Sequence, residues 1–129
     1  MSYSYSKNLD KSFDKAEESV RNVLSEIGFG ILTEINVNEA FKEKLGITFK
    51  KYKILGACNP QLAHEAINHD DNVGILMPCN VVLSEVDENI TEVKFPSAEA
   101  ILSVTHNSIL SDLALNVDNL MKNAFDRLD

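Results

Sequence analysis

The feature that most constrains the fold is a strand that runs directly into a helix in the middle of the chain. Residues 52–58 alternate between two side-chain faces with the period of a strand, and Tyr52, Ile54, Gly56 and Cys58 share one of them. Asn59 is then a favourable N-cap, and Pro60 follows at the first helical position, where its missing N–H is tolerated. The pattern predicts a β–α junction with Cys58 standing at it.

The second cysteine follows a break in an apolar run. The stretch Val73–Leu83 is interrupted by Pro78, which cannot donate to a sheet hydrogen bond, so we expect one long strand or two broken ones between Val73 and Val86. Cys79 comes directly after the proline. Each cysteine also precedes an asparagine, Asn59 or Asn80. A chain that breaks here could direct Cys79 toward Cys58, although sequence alone does not show that it does.

The remaining periodicities indicate an α+β fold. They predict a first strand within Met1–Lys7, a helix capped by Ser12 and ended by Gly28, a strand over Phe29–Ile35, a short helix from Asn38 to Gly46, a turn at Asp87–Asn89 before a strand to Phe95, and helices after Ser97. The hairpin requires antiparallel strands, so we expect a mostly antiparallel, curved sheet with helices on one face. A doubly wound parallel sheet is the alternative, because the first half alternates strand and helix.

Length and charge exclude several classes of protein. The 129 residues are expected to form one domain, 1–129, with its own core. A net charge of −8 argues against binding to nucleic acids or anionic membranes, which require a positive surface. The N-terminal residues lack the apolar core of a signal peptide, and no apolar segment is long enough to span a membrane. We therefore expect a cytoplasmic protein with reduced thiols.

Several segments in order resemble a family catalogued as domain of unknown function 302 (DUF302). They are Gly28–Ile35, Lys44–Gly46, Tyr52–Pro60, Leu62–His64 and Leu76–Val82. The resemblance covers about Phe13 to Ala100. It implies a strand, a helix, four strands and a helix in the arrangement called TATA-binding-protein-like, and it implies a homodimer. It implies no DNA binding. It also supplies no established activity and no catalytic residues.

The first hypothesis for function is a thiol site. Cys58 and Cys79, with His64 as a third member, could bind a soft metal such as zinc or copper(I), or could alternate between dithiol and disulfide. Gly56, Asn59 and Asn80 would support them. The helix that follows Cys58 is expected to lower the pKa of its thiol. The alternative is that both cysteines are small buried apolar residues, the usual state of free cysteine.

The second hypothesis is a non-enzymatic binding or interaction module. A homodimer could hold a small molecule between sheet and helices, or could serve as a scaffold. Five of the twelve cations form a cluster, Lys42, Lys44, Lys50, Lys51 and Lys53, in which Lys51 and Lys53 are candidates for contact with an anion. The alternative for this cluster is a solvated face.

No conventional catalytic set is recognisable, so the sequence leaves open whether the protein is an enzyme. Glu34 could serve as a general base, but a solvated strand glutamate is the ordinary alternative. There is no glycine-rich phosphate loop and no nucleophile elbow.

Overall fold

The fold is a five-stranded antiparallel sheet with helices packed against it. The computed structural model describes residues 2–129; Met1, where the predicted first strand begins, lies outside the described residues. The elements are β1 (Ser4–Leu9), α1 (Phe13–Glu26), β2 (Gly30–Asn36), α2 (Val37–Leu45), β3 (Tyr52–Cys58), α3 (Pro60–His69), β4 (Cys79–Asp87), β5 (Ile90–Pro96), α4 (Ala98–Leu102) and α5 (Ser108–Asp126). The strand order is β1-β5-β4-β3-β2, with every neighbouring pair antiparallel. The predicted α+β class is confirmed, and the parallel alternative is wrong.

The main core lies between one face of the sheet and the helices α1 and α5. It contains Leu55, Val81, Leu83, Val93 and Phe95 from the strands, with Ala16, Val20 and Leu24 of α1 and Met121, Ala124 and Phe125 of α5. Successive strand residues point to opposite faces. The opposite face, called the open face below, therefore carries Tyr52, Ile54, Gly56, Asn80, Val82 and Lys94.

The predicted helix ends are mostly confirmed. The side chains of Ser12, Asn59 and Ser97 each accept a backbone N–H in the first turn of the following helix, as N-caps do. Gly46 ends α2 in the left-handed region that favours glycine, with φ of +67°.

The start of α2 differs from the prediction. Its N-cap is Asn36, not Asn38. Asn38 lies inside the helix, where its side-chain oxygen accepts a hydrogen bond of 3.1 Å from the backbone N–H of Tyr52. The residue that resembled a cap thus ties α2 to the beginning of β3.

The prediction of a strand beginning at Val73 is wrong. Residues Asp71–Leu76 form a 3-10 helix, a cis Met77–Pro78 peptide follows, and β4 begins at Cys79. Asp70 caps the 3-10 helix by accepting a 3.0 Å hydrogen bond from the N–H of Asn72. The apolar character of the segment reflects burial of Val73 in a small second core with Ala66 and Leu110. Short apolar runs do not distinguish a buried strand from a buried helical turn.

None of the helices among residues 2–129 is both long and apolar enough to cross a membrane.

Candidate functional site

The antiparallel pairing of β3 and β4 brings the two cysteines to the same end of the sheet. Cys58 is the last residue of β3, and Cys79 is the first residue of β4. The register places Cys79 directly opposite Ala57, so that Cys58 lies one residue further along. Although the cysteines are 21 positions apart in the sequence, both line the same cavity.

The cavity lies where β3 and β4 meet α3, the 3-10 helix, α4 and α5. Its volume is about 80 Å³. The walls are almost wholly apolar, with Phe29, Leu62, Val73 and Val117 from four parts of the chain. Among the described residues that line the cavity, Asn59 is the only one besides the two cysteines whose side chain forms conventional hydrogen bonds. Its oxygen is occupied by the N–H of Leu62 at 3.1 Å.

Burial holds both thiols in the protonated form at neutral pH. Desolvation, with smaller contributions from the nearby Cys58 and Asp118, raises the pKa of the Cys79 thiol to about 11. Desolvation also raises the pKa of Cys58. The prediction that the N-terminus of α3 lowers the pKa of Cys58 is therefore wrong, because burial disfavours the charged thiolate.

The register also bears on a disulfide between the cysteines. Because Cys79 is directly opposite Ala57, these two side chains share the core face, and strand alternation directs the Cβ of Cys58 to the other face. A disulfide requires Cβ atoms roughly 3.5–4.5 Å apart that point toward one another. The register therefore does not pair the two cysteines across the strands, and both thiols are free.

His64 lies outside the cavity. It is exposed on α3, and its Nε2 is 3.4 Å from the amide nitrogen of Asn68. Within residues 2–129 no three His, Cys, Asp or Glu side chains are arranged to hold a metal ion. Zinc in proteins usually takes four ligands, or three and a water. The two thiols alone are fewer donors than zinc usually takes, and a soft metal at this place stays a prediction.

Gly56 permits a close approach beside the cavity. A Cβ at this position would lie 2.0 Å from Oγ1 of Thr33 and 2.7 Å from Cγ of Pro78. Both neighbours pack over the open face where a side chain of residue 56 would stand. Asn80 is directly opposite Gly56 on β4 and is exposed. The three residues predicted to support the cysteines thus surround them at the same end of the sheet.

The lysine cluster does not converge on one site. Lys53 lies on the helix side of the sheet, where its Nζ is 2.7 Å from Glu17 and 2.8 Å from Glu34. Burial acts to lower the pKa of Lys53, but the hydrogen bonds to Glu17 and Glu34 raise it overall. Two carboxylates therefore already neutralise one of the two lysines predicted to contact an anion.

The other predicted anion contact, Lys51, has a different neighbourhood. Its Nζ lies 6.0 Å from the centre of the Phe13 ring, and its backbone N–H donates to Glu85. The cleft beside Lys51 also contains Asp14, Asp87 and Glu88, which disfavour an anion.

Glu34 is occupied by the same ion pairs as Lys53. The hydrogen bond from Lys53 is the main cause that lowers the pKa of the Glu34 carboxyl, and Arg21, at 3.1 Å, contributes in the same direction. A carboxylate that is stabilised in its charged form is a weak base, so the structure favours the solvated alternative for Glu34.

A second concave region, called the groove below, lies over the open face and was missed by the sequence analysis. Its volume is about 540 Å³. Tyr52, Asn80, Val82 and Lys94 form its floor. The sequence contains one signal for this groove. Lys94 alternates with Val93 and Phe95, which are buried, so Lys94 lies on the open face. The other residues that line the groove come from distant parts of the chain, so no local sequence pattern predicts that they meet.

Comparison with known proteins gives a family but no activity. The profile of the domain of unknown function DUF302 matches residues 5–128. The chain is similar to the crystal structure of an uncharacterized conserved protein DUF302 from Bacillus stearothermophilus, with a TM-score of 0.90, 25% sequence identity and complete coverage of both chains. No functionally curated protein matches. The family match confirms the resemblance carried by Gly28–Ile35 and Tyr52–Pro60, and the chain belongs to the DUF302 family.

Proposed function

We propose that this protein is a small-ligand-binding module whose site is the cavity lined by Cys58 and Cys79. The observation that carries the proposal is an apolar cavity of about 80 Å³. One water needs roughly 10–15 Å³ measured in this way, so the space holds on the order of six non-hydrogen atoms. Walls that are almost wholly apolar favour an apolar guest.

The thiols act in this proposal as apolar, polarisable parts of the wall. A protonated thiol is a small hydrophobic group with a weak S–H donor, and it neither attacks an electrophile nor binds a metal readily. The proposal keeps the predicted cytoplasmic location, where free thiols stay reduced. It assigns no catalytic step to either cysteine.

Benzene is a suitable probe, because dry apolar cavities in proteins bind it. We expect benzene to shift the NMR signals of the methyl groups of Leu62, Val73 and Val117 in a saturable manner. Ala63→Met should weaken this binding at least tenfold, because Ala63 lines the cavity and the flexible methionine side chain can occupy part of it.

Ala40→Met is the matched control, since Ala40 lies on α2 and does not line the cavity. It should leave the benzene titration unchanged. The proposal is wrong if benzene leaves the three methyl-bearing residues unaffected, or if Ala63→Met binds benzene as tightly as the unchanged protein does.

We also propose that the protein forms a homodimer through the apolar surface of residues 32–49. Leu32 and Leu45 are 67% and 65% exposed there, and Ile35, Ile47 and Phe49 are also exposed. Exposed apolar side chains grouped in this way are typical of an interface with another protein chain. A second copy is the proposed partner, because β2 is an edge strand whose free side offers unpaired backbone groups.

Sedimentation velocity tests the homodimer. We expect the unchanged protein to sediment as a dimer and Leu45→Lys to shift it toward the monomer, because a desolvated unpaired charge opposes association. Leu115→Lys is the matched control on α5, where the leucine is 46% exposed, and it should remain dimeric. A monomer at every soluble concentration of the unchanged protein contradicts this part of the proposal but leaves the cavity untouched.

A further inference from the structure

One wall of the cavity is a short helix that lies between the cavity and solvent. This helix, α4, has five residues, Ala98–Leu102, and belongs to the connection between β5 and α5. Ala98, Ile101 and Leu102 recur at helical spacing and line the cavity, whereas Glu99 is exposed. The inner side of α4 therefore covers the cavity, and its outer side faces water.

Little apolar burial holds α4 in place. Ala98 is its only buried residue and is small, and the larger Ile101 and Leu102 are only partly buried. The residues that follow α4, Ser103 and Val104, are exposed. A short segment with few buried apolar contacts opens at a lower free energy than the core of a protein does.

Asp118 of α5 supplies the polar contacts that hold the beginning of α4. Its Oδ1 accepts a hydrogen bond of 2.7 Å from the backbone N–H of Ala98, and its Oδ2 accepts one of 3.0 Å from the N–H of Glu99. Among the described residues, no other hydrogen bond joins residues 98–106 to an element outside the connection between β5 and α5. Hydrogen bonds to a carboxylate are roughly twice as strong as neutral ones, so Asp118 dominates the polar part of this contact.

The other walls require more interactions to be broken before they open. Strands β3 and β4 are joined by a continuous antiparallel ladder. Helix α3 follows β3 directly at the N-cap Asn59. Helix α5 contributes Leu110 to the second core and Met121 and Phe125 to the main core. Movement of α4 breaks two hydrogen bonds and a few apolar contacts, so α4 is the wall that opens most easily.

We propose that α4 is the lid of the cavity, which admits and releases a small apolar ligand when it moves away from α5, and that the two hydrogen bonds to Asp118 keep it closed. This inference rests on the proposed ligand-binding function of the cavity and adds how the ligand reaches it. In many proteins a ligand enters an enclosed site through the movement of such a segment.

Asp118→Ala tests the lid through the rates at which benzene enters and leaves, measured by NMR line shapes in a benzene titration. We expect the association and dissociation rate constants both to rise at least about tenfold, because the closed state loses two charge-assisted hydrogen bonds. The Kd should change by less than about twofold. The free and the bound protein are both closed and lose the same two bonds, so the equilibrium between them hardly shifts.

Amide hydrogen exchange reports the opening without a ligand. The N–H groups of Ile101 and Ser103 are bonded to the carbonyls of Ser97 and Glu99. A helix of five residues does not persist alone in water, so opening exposes these amides. In Asp118→Ala they should exchange at least about tenfold faster, while the amides of the central strands keep their protection.

Asp112→Ala is the matched control. Asp112 is an exposed aspartate on the same helix, and among the described residues its side chain forms no hydrogen bond or ion pair. This substitution should leave the benzene rates and the exchange of Ile101 and Ser103 unchanged. If the central strands of Asp118→Ala also lose protection, Asp118→Asn replaces it. The amide keeps one acceptor oxygen, and we expect a smaller rise of both rates.

The outcomes separate the lid from the ligand site. If benzene binds the unchanged protein but neither Asp118 variant raises its association rate, the lid is wrong and the cavity is still a ligand site. A rise of the dissociation rate alone, with a weaker Kd, also overturns the lid, because it shows that Asp118 affects the fit of the ligand and not its entry. If benzene does not bind the unchanged protein, the ligand-binding function is wrong and the lid with it.

Discussion

Replacing Gly56 by alanine is expected to lower the free energy of unfolding by about 3 kcal/mol, the upper end of the usual cost of overpacking. The new methyl group would lie 2.0 Å from Oγ1 of Thr33 and 2.7 Å from Cγ of Pro78, both far inside van der Waals contact. Neither neighbour yields easily, because Thr33 is β-branched and Pro78 is a ring. Equilibrium unfolding in urea, followed by circular dichroism, measures the effect.

Gly30→Ala is the matched control. Gly30 is also a strand glycine, but a Cβ built there meets nothing within 4 Å. We expect its effect to stay within about 0.5 kcal/mol, the usual range for a surface substitution. Adding Thr33→Ala to Gly56→Ala should recover at least half of the lost stability, because it removes the nearer clash. Equal effects of the two glycine substitutions would show that close packing at Gly56 is not the cause.

The Gly56 substitution also bears on the ligand site. Pro78 belongs to the wall between the cavity and the groove, and it is one of the two groups that the new methyl group would displace. A protein that tolerates the change by moving Pro78 should therefore bind benzene differently. The glycine thus links the packing of the open face to the shape of the candidate site.

The parts of the fold that depend on local signals were predictable from the sequence. The junction at Asn59 and Pro60 combines a strand period, an N-cap and a proline at the first helical position, and the structure confirms all three. The hairpin at Asp87–Asn89 follows from a turn signal between alternating segments. Antiparallel pairing of β4 and β5, and with it the α+β class, follows from this hairpin.

The segment before β4 and the environment of the lysines were not predictable, because both depend on distant contacts. The local sequence around Val73 is that of a strand. Val73 instead lies in a 3-10 helix, where it is buried because it packs against Ala66 and Leu110. In the sequence, nothing distinguishes Lys53 from the other lysines of the cluster. Pairing of β2 with β3 brings Glu34 to it, and the packing of α1 on the sheet brings Glu17.

The candidate site was predictable in its residues but not in its chemistry. The two Cys-Asn contexts indicated one site, and both cysteines line one cavity. The sequence predicted a thiolate at Cys58 because it indicated a helix that begins directly after this residue. The apolar walls supplied by α4 and α5 were not visible, and burial among such walls raises the pKa of a thiol.

The thiol of Cys79 is expected to react very slowly at neutral pH. Burial first, then Cys58 and Asp118, raise its pKa from 9.0 to about 11, so it carries roughly one hundredth of the thiolate of an ordinary cysteine. Since the thiolate is the reactive form, alkylation by iodoacetamide should be at least 100-fold slower in the folded protein than in the unfolded chain. Mass spectrometry of Cys58→Ala, which leaves Cys79 as the only thiol, measures the rate.

The pH dependence separates protonation from simple shielding. Burial, the largest cause of the raised pKa, persists in Cys58→Ala, so the rate in this folded variant should still rise about tenfold per pH unit above pH 9, because the thiolate fraction rises in this way below the pKa. Shielding alone would slow the reaction at every pH and give a plateau near pH 9.

The raised pKa also has a consequence for stability, since the unfolded thiol loses its proton first. The contribution of Cys79 to stability is therefore complete below the unfolded pKa of 9.0 and decreases as the pH rises toward 11. Rapid alkylation of Cys79 at pH 7 would contradict the assignment of Cys79 as a protonated residue of the cavity wall. It would favour the hypothesis of a reactive thiol site.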